Sequence, residues 1–132
     1  MIFHHTTRSK PAACLFAAAL LVTPLHLWAA SASPGADTLR EGVSAYQKGN
    51  FRLAESKLSE SLRQGLTQLE EVQQAHKTQG FIYCSTKRSM ECEEAFQEAL
   101  SLDPSYELTA SERKNKLWAS TFAKVKQRMR KS

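Results

Sequence analysis

GVSAYQKGNFRLAESKLSES, residues 42–61, and GFIYCSTKRSMECEEAFQEALSLDP, residues 80–104, are two versions of one pattern. The first carries Gly42, Tyr46, Gly49, Asn50, Phe51, Ala54, Leu58 and Ser61. The second carries Gly80, Tyr83, Cys92, Phe96, Ala99, Leu100, Asp103 and Pro104. Helices that cross closely need small residues where their backbones meet and large ones further out. Gly42 and Ala54 meet the first need in one copy, Gly80 and Ala99 in the other. Tyr46, Phe51 and Leu58, then Tyr83 and Phe96, meet the second. Each copy therefore reads as a helical hairpin.

Working outward, the apolar spacing predicts five helices. The first is capped by Asp37 or Thr38 and runs to about Gln47, burying Leu39, Gly42, Val43 and Tyr46. Lys48-Gly49-Asn50 is a turn, with Gly49 suited to a left-handed helix end. A second helix spans Phe51 to about Leu66, a third about Glu70 to Ser85, and a fourth about Met90 to Leu102. Asp103-Pro104 stops the fourth, since proline cannot continue the ladder. A last helix is expected from Ser111-Glu112 to the basic end. No window alternates like a strand, so the fold class is all-α: two helical hairpins plus a C-terminal capping helix.

The two copies resemble the tetratricopeptide repeat (TPR), a helical hairpin that stacks on its neighbours to present a binding surface. The glycines are 38 residues apart against a usual period of 34, which points to a longer link around Gln64 to Glu71. Cys92 stands where alanine is usual, and Lys87 where the first copy has Gly49. In such repeats the first helix of each pair lines the ligand groove. By position the resemblance assigns partner contacts to Leu39, Val43, Tyr46, Gln74, Lys77 and Phe81.

From Ala75 to Phe122 the chain resembles something narrower. Phe-Ile-Tyr-Cys at 81–84, Cys92, Phe96 and the run to Leu108, Glu112 and Trp118 are similar to the TssQ-type family of exported TPR proteins. That family is associated with type VI secretion in Gram-negative bacteria, and the resemblance implies an accessory or scaffolding role. Its members are usually lipoproteins, whereas Cys14 here precedes the apolar run that a lipid-bearing cysteine should follow.

Residues 1–32 read as a secretory signal peptide. Arg8 and Lys10 precede the apolar run Cys14 to Val22, and Ala30-Ser31-Ala32 fits the cleavage rule. The expected localisation is periplasmic or envelope-associated. Ser33 to Ala36 reads as a flexible link, residues 37–110 as the helical domain, and 111–132 as a basic helix. About 100 residues after the leader suffice for one small domain.

Two cysteines remain after the leader, Cys84 and Cys92, at matching heights across the turn of the second hairpin. An exported chain favours a disulfide between them over two buried free thiols. Their spacing is not that of a thiol-exchange motif, and His76 adds too little for a metal site.

Charge is divided along the chain. Residues 33–112 hold 8 basic and 13 acidic side chains, and residues 113–132 hold 8 basic and none acidic. Trp118, Phe122, Val125 and Met129 form one helical stripe, as a capping helix requires. Lys124, Lys126, Arg128, Arg130 and Lys131 are expected to form a basic surface around it. That surface fits an acidic partner or an anionic membrane, the second reading of the chain's function. Export argues against nucleic acid.

No nucleophile motif, phosphate loop or cofactor signature appears, and Glu91, Glu93 and Glu94 suit the first turn of a helix. The expected function is therefore protein binding within an envelope assembly, with no cofactor, no metal, no small-molecule substrate and no catalysis.

Overall fold

A computed structural model describes residues 31–132 of the chain. The leader expected over residues 1–32 lies outside the described residues, apart from Ser31 and Ala32. Helices α1 (Ala36–Gln47) and α2 (Phe51–Gln64) form hairpin 1. Helices α3 (Leu69–Ser85) and α4 (Ser89–Leu102) form hairpin 2. Helix α5 (Ala119–Met129) packs against α4. There is no strand among the described residues, and the fold is all-α as expected.

The two hairpins repeat with a constant offset of 38 residues. Helices α2 and α4 are both 14 residues long, and α1 and α3 both end on the residue four positions before the next helix. The turns share their main backbone bonds at that offset. Asn50 N–H donates to Ala45 O at 2.9 Å, and Arg88 N–H to Tyr83 O at 2.8 Å. Gly49 has φ 75° there and Lys87 φ 62°. Lysine thus adopts the left-handed backbone that the first copy assigns to glycine, since the surrounding turn bonds demand it.

Close approach explains the two helical glycines. A Cβ on Gly80 would lie 2.6 Å from the Phe96 ring, and one on Gly42 3.0 Å from Leu58. Around those crossings Ala54, Leu58, Ala75 and Ile82 are buried with Leu39 in one cluster. Phe81, Cys92, Phe96 and Leu100 form a second cluster, completed by Leu108, Trp118, Phe122 and Val125. Phe122 sits edge-on to Phe96 at 5.3 Å between centroids. Helix α5 therefore covers hairpin 2 through the stripe read from the sequence.

Cys84 and Cys92 are joined in a disulfide, with Cα atoms 5.2 Å apart, within the usual span of such a bridge. It ties the top of hairpin 2.

Four expectations are corrected. Helix α5 starts at Ala119, not near Ser111; only Glu112–Lys114 forms a short 3-10 turn before it. Thr109 and Glu112 make a capping box, but the helix it would start lasts one turn before Asn115 turns extended. Ser33 to Ala36 is not a free link. Ser33 is buried, its hydroxyl bonds Thr67 Oγ1 at 2.7 Å and also Glu71, and Gly35 N–H donates to Gly65 O. Neither Asp37 nor Thr38 caps α1, whose N-cap is Gly35 without a side-chain cap bond. The longer repeat is not all link, because α3 begins at Leu69 and Leu69–Glu71 is helical.

Candidate partner-binding groove

Residues 103–118 decide what remains of the groove. Asp103 accepts from Ser105 N–H at 2.8 Å and from its hydroxyl at 2.6 Å, so the chain turns back at the end of α4. It then runs as a strap against α3. Leu108 is buried, and Trp118 lies 4.3 Å from Phe81, centroid to centroid. Trp118 Nε1–H donates to Glu112 O at 3.0 Å, and Asn115 Oδ1 accepts from Leu117 N–H at 2.9 Å.

The polar anchor of the strap is Glu112. Its carboxylate accepts from Lys77 Nζ at 2.8 Å and from Thr109 N–H at 2.8 Å. Both ion-pair side chains are largely covered, at 16% and 20% exposure for Lys77 and Glu112. Burial opposes both charges, but the bond between them outweighs it. Glu112 is held below the ordinary carboxyl range by Lys77 and the Thr109 N–H, and Lys77 is raised above the ordinary amine value by Glu112. The ammonium also stands 5.8 Å from the Phe81 ring and 6.0 Å from that of Tyr106.

The six residues assigned to a partner therefore do not share one open face. Leu39 is buried beneath hairpin 1, where its apolar side chain joins the core with Leu58, Ala75 and Ile82. Phe81 is buried under Trp118, and Lys77 is committed to Glu112. Val43 is half-buried against the first cluster, and Gln74 is exposed on α3. Tyr46 keeps access to solvent, stacked with Phe51 at 5.9 Å and 6.1 Å from Phe81. Burial, and then the nearby Glu112 carboxylate, push its phenol above the ordinary value.

What stays open is a groove of about 330 Å³ between the end of hairpin 1 and the strap. Tyr46, Phe51, Leu117 and Trp118 supply apolar walls; Gln47, Ser85 and Asn115 supply hydrogen-bonding groups. Leu117 is 58% exposed at its edge. Phe51, Asn115, Leu117 and Trp118 were not assigned to this role from the sequence. The one available signal was the aperiodic stretch between Pro104 and Trp118, where no helix pattern holds.

The basic surface is also smaller than expected. Lys126 is buried, and its ammonium donates to Tyr106 O at 2.6 Å, Ser105 O at 3.2 Å and the Glu107 carboxylate. Its aliphatic stem is covered by the strap, so it fastens α5 and is not available to a ligand. Lys124 and Arg128 each bind one oxygen of Glu93 at 3.0 Å. Arg130 and Lys131 are exposed and form no ion pair among the described residues. No described helix is long and apolar enough to cross a membrane. Among the described residues no group of three or more His, Cys, Asp or Glu could hold a metal ion.

No family model, curated protein or solved structure matches this chain.

Proposed function

We propose that this chain is a TPR-type protein-binding module of the bacterial cell envelope, a non-catalytic scaffold accessory to type VI secretion. The observation that carries the binding role is the aromatic groove of Tyr46, Phe51 and Trp118 with Leu117 exposed at its edge. Aromatic rings at a concave edge, with a few amide and hydroxyl groups, suit an extended peptide segment of a partner. The TPR reading is supported by two hairpins of constant offset, small residues at their crossings and a covering C-terminal helix. Export is supported by the Cys84–Cys92 disulfide, which persists in oxidising compartments. The secretion assignment rests on the sequence resemblance over 75–122. The membrane-surface reading keeps Lys124, Arg128, Arg130 and Lys131 as exposed cations and loses only Lys126, which is buried in the fold.

The test is affinity purification of the tagged full chain from its own envelope, beside a Leu117→Asp variant. Secretion-machine components that co-purify with the parent and vanish with the variant support the reading. Their equal recovery with both would move the binding site elsewhere, and recovery of general envelope proteins alone would remove the secretion role.

A further inference from the structure

Hairpin 2 demonstrates what this architecture does with one side of a helical pair. Helix α2 lies on the side built from Gln79, Ile82, Tyr83 and Arg88. Gln79 Nε2 donates to Ser59 Oγ at 3.2 Å. Arg88 donates to both Glu55 carboxylate oxygens at 2.9 and 3.0 Å. Ile82 is buried in one cluster with Ala54 and Leu58.

The repeat offset carries that side onto hairpin 1. Thirty-eight residues back, Gln79, Ile82, Tyr83 and Arg88 become Glu41, Ser44, Ala45 and Asn50. These four line an open groove of about 680 Å³, together with Arg40, Lys48, Leu53 and Lys57. Leu53 is 46% exposed there. Hairpin 1 therefore presents the face that receives a helix in hairpin 2, and no described helix occupies it.

Its charge differs from that of the surrounding surface. Residues 33–112 are net acidic, yet the groove is rimmed by Arg40, Lys48 and Lys57 against one acid, Glu41. Glu41 pairs with Lys57 at 2.7 Å, and Arg40 pairs with Asp37 outside the groove. Lys48 has no carboxylate partner among the described residues.

We propose that the Arg40–Lys48–Lys57 groove is the docking site of an acidic amphipathic helix from a partner protein. The helix lays its apolar side on Leu53 and sets carboxylates against the cationic rim. Two other occupants carry the wrong sign. Helix α5 of a second copy, the one that would extend the stack, is basic, and residues 1–30 contain Arg8 and Lys10 without an acid. The groove shares no lining residue with the one flanked by Leu117, so the two proposals stand or fall apart.

The test places a photo-crosslinking phenylalanine at Leu53 in the full chain, in the cell that makes it, and sequences the adduct. The expected adduct joins a helical segment of another protein with more Asp and Glu than Lys and Arg. Its yield should fall at least tenfold in an Arg40→Glu/Lys48→Glu variant whose circular dichroism is unchanged. Four results would overturn the proposal: an adduct to this chain's own sequence, an adduct to a neutral or basic segment, a yield indifferent to the double substitution, or no adduct above that from the same group at Ser120.

Discussion

Gly80 and Phe96 form the tight crossing of α3 and α4, and the contact is specific enough to test. Phe96 is fully buried beneath Phe122 and beside Phe81, so its ring has nowhere to move when a Cβ arrives at 2.6 Å. Gly80→Ala should destabilise the protein by about 1–3 kcal/mol, the usual cost of overpacking a filled core. Gly42→Ala meets Leu58 less closely, at 3.0 Å from its Cγ and 3.1 Å from its backbone N, and should cost less. Paired urea melts of the two variants check the order, and equal costs would refute the packing account. At the same scale, Lys126 illustrates how a residue type misleads. A lysine in a basic run normally reaches solvent, but here three oxygen acceptors from the strap close over its ammonium.

Among elements, hairpin 2 and the strap carry the distinctive chemistry. The Cys84–Cys92 bridge closes a short loop, so in the chain-entropy view it contributes about 2–3 kcal/mol. A Cys84→Ala/Cys92→Ala variant should unfold at correspondingly lower urea while keeping its helical signal, and an unchanged midpoint would show the bridge to be dispensable. The strap should respond to acid. Glu112 titrates below its ordinary value in the folded state, so its contribution is present above the unfolded value of about 4.3 and is lost as pH falls through the lower folded one. The Trp118 indole N–H, bonded to the Glu112 carbonyl, reports this. Its nuclear magnetic resonance signal should shift as the pH is lowered below that range, and Glu112→Gln should bring the shift to neutral pH and flatten the acid response. Identical titrations of parent and variant would detach the strap from Glu112.

For the whole described unit, stability rests on α5 completing the second cluster. Two hairpins alone fall short of the three or so repeats that a stack usually needs. Helix α5 and Leu108 supply the missing cover, and Phe122 is the link between Phe96 and Tyr106. Phe122→Ala should therefore cost about 3–5 kcal/mol and lower the transition of both hairpins together. Circular dichroism and the Trp118 signal should move in one step, whereas separate transitions would mean that hairpin 1 folds without this cover. The hairpins and their turns were legible in the residues themselves, because their decisive contacts are local and periodic. Gly42 meets Leu58, and Gly80 meets Phe96, each sixteen positions along the chain. The capping stripe Trp118–Phe122–Val125 was legible for the same reason. The path of 103–118 was decided only in three dimensions. Lys77 and Glu112 are 35 residues apart, and Lys126 and Glu107 are 19 apart. No helical period connects either pair, so nothing in the order of residues announces them. Packing over α3 brings them together, since the apolar face of hairpin 2 must be covered and this strap is the segment within reach.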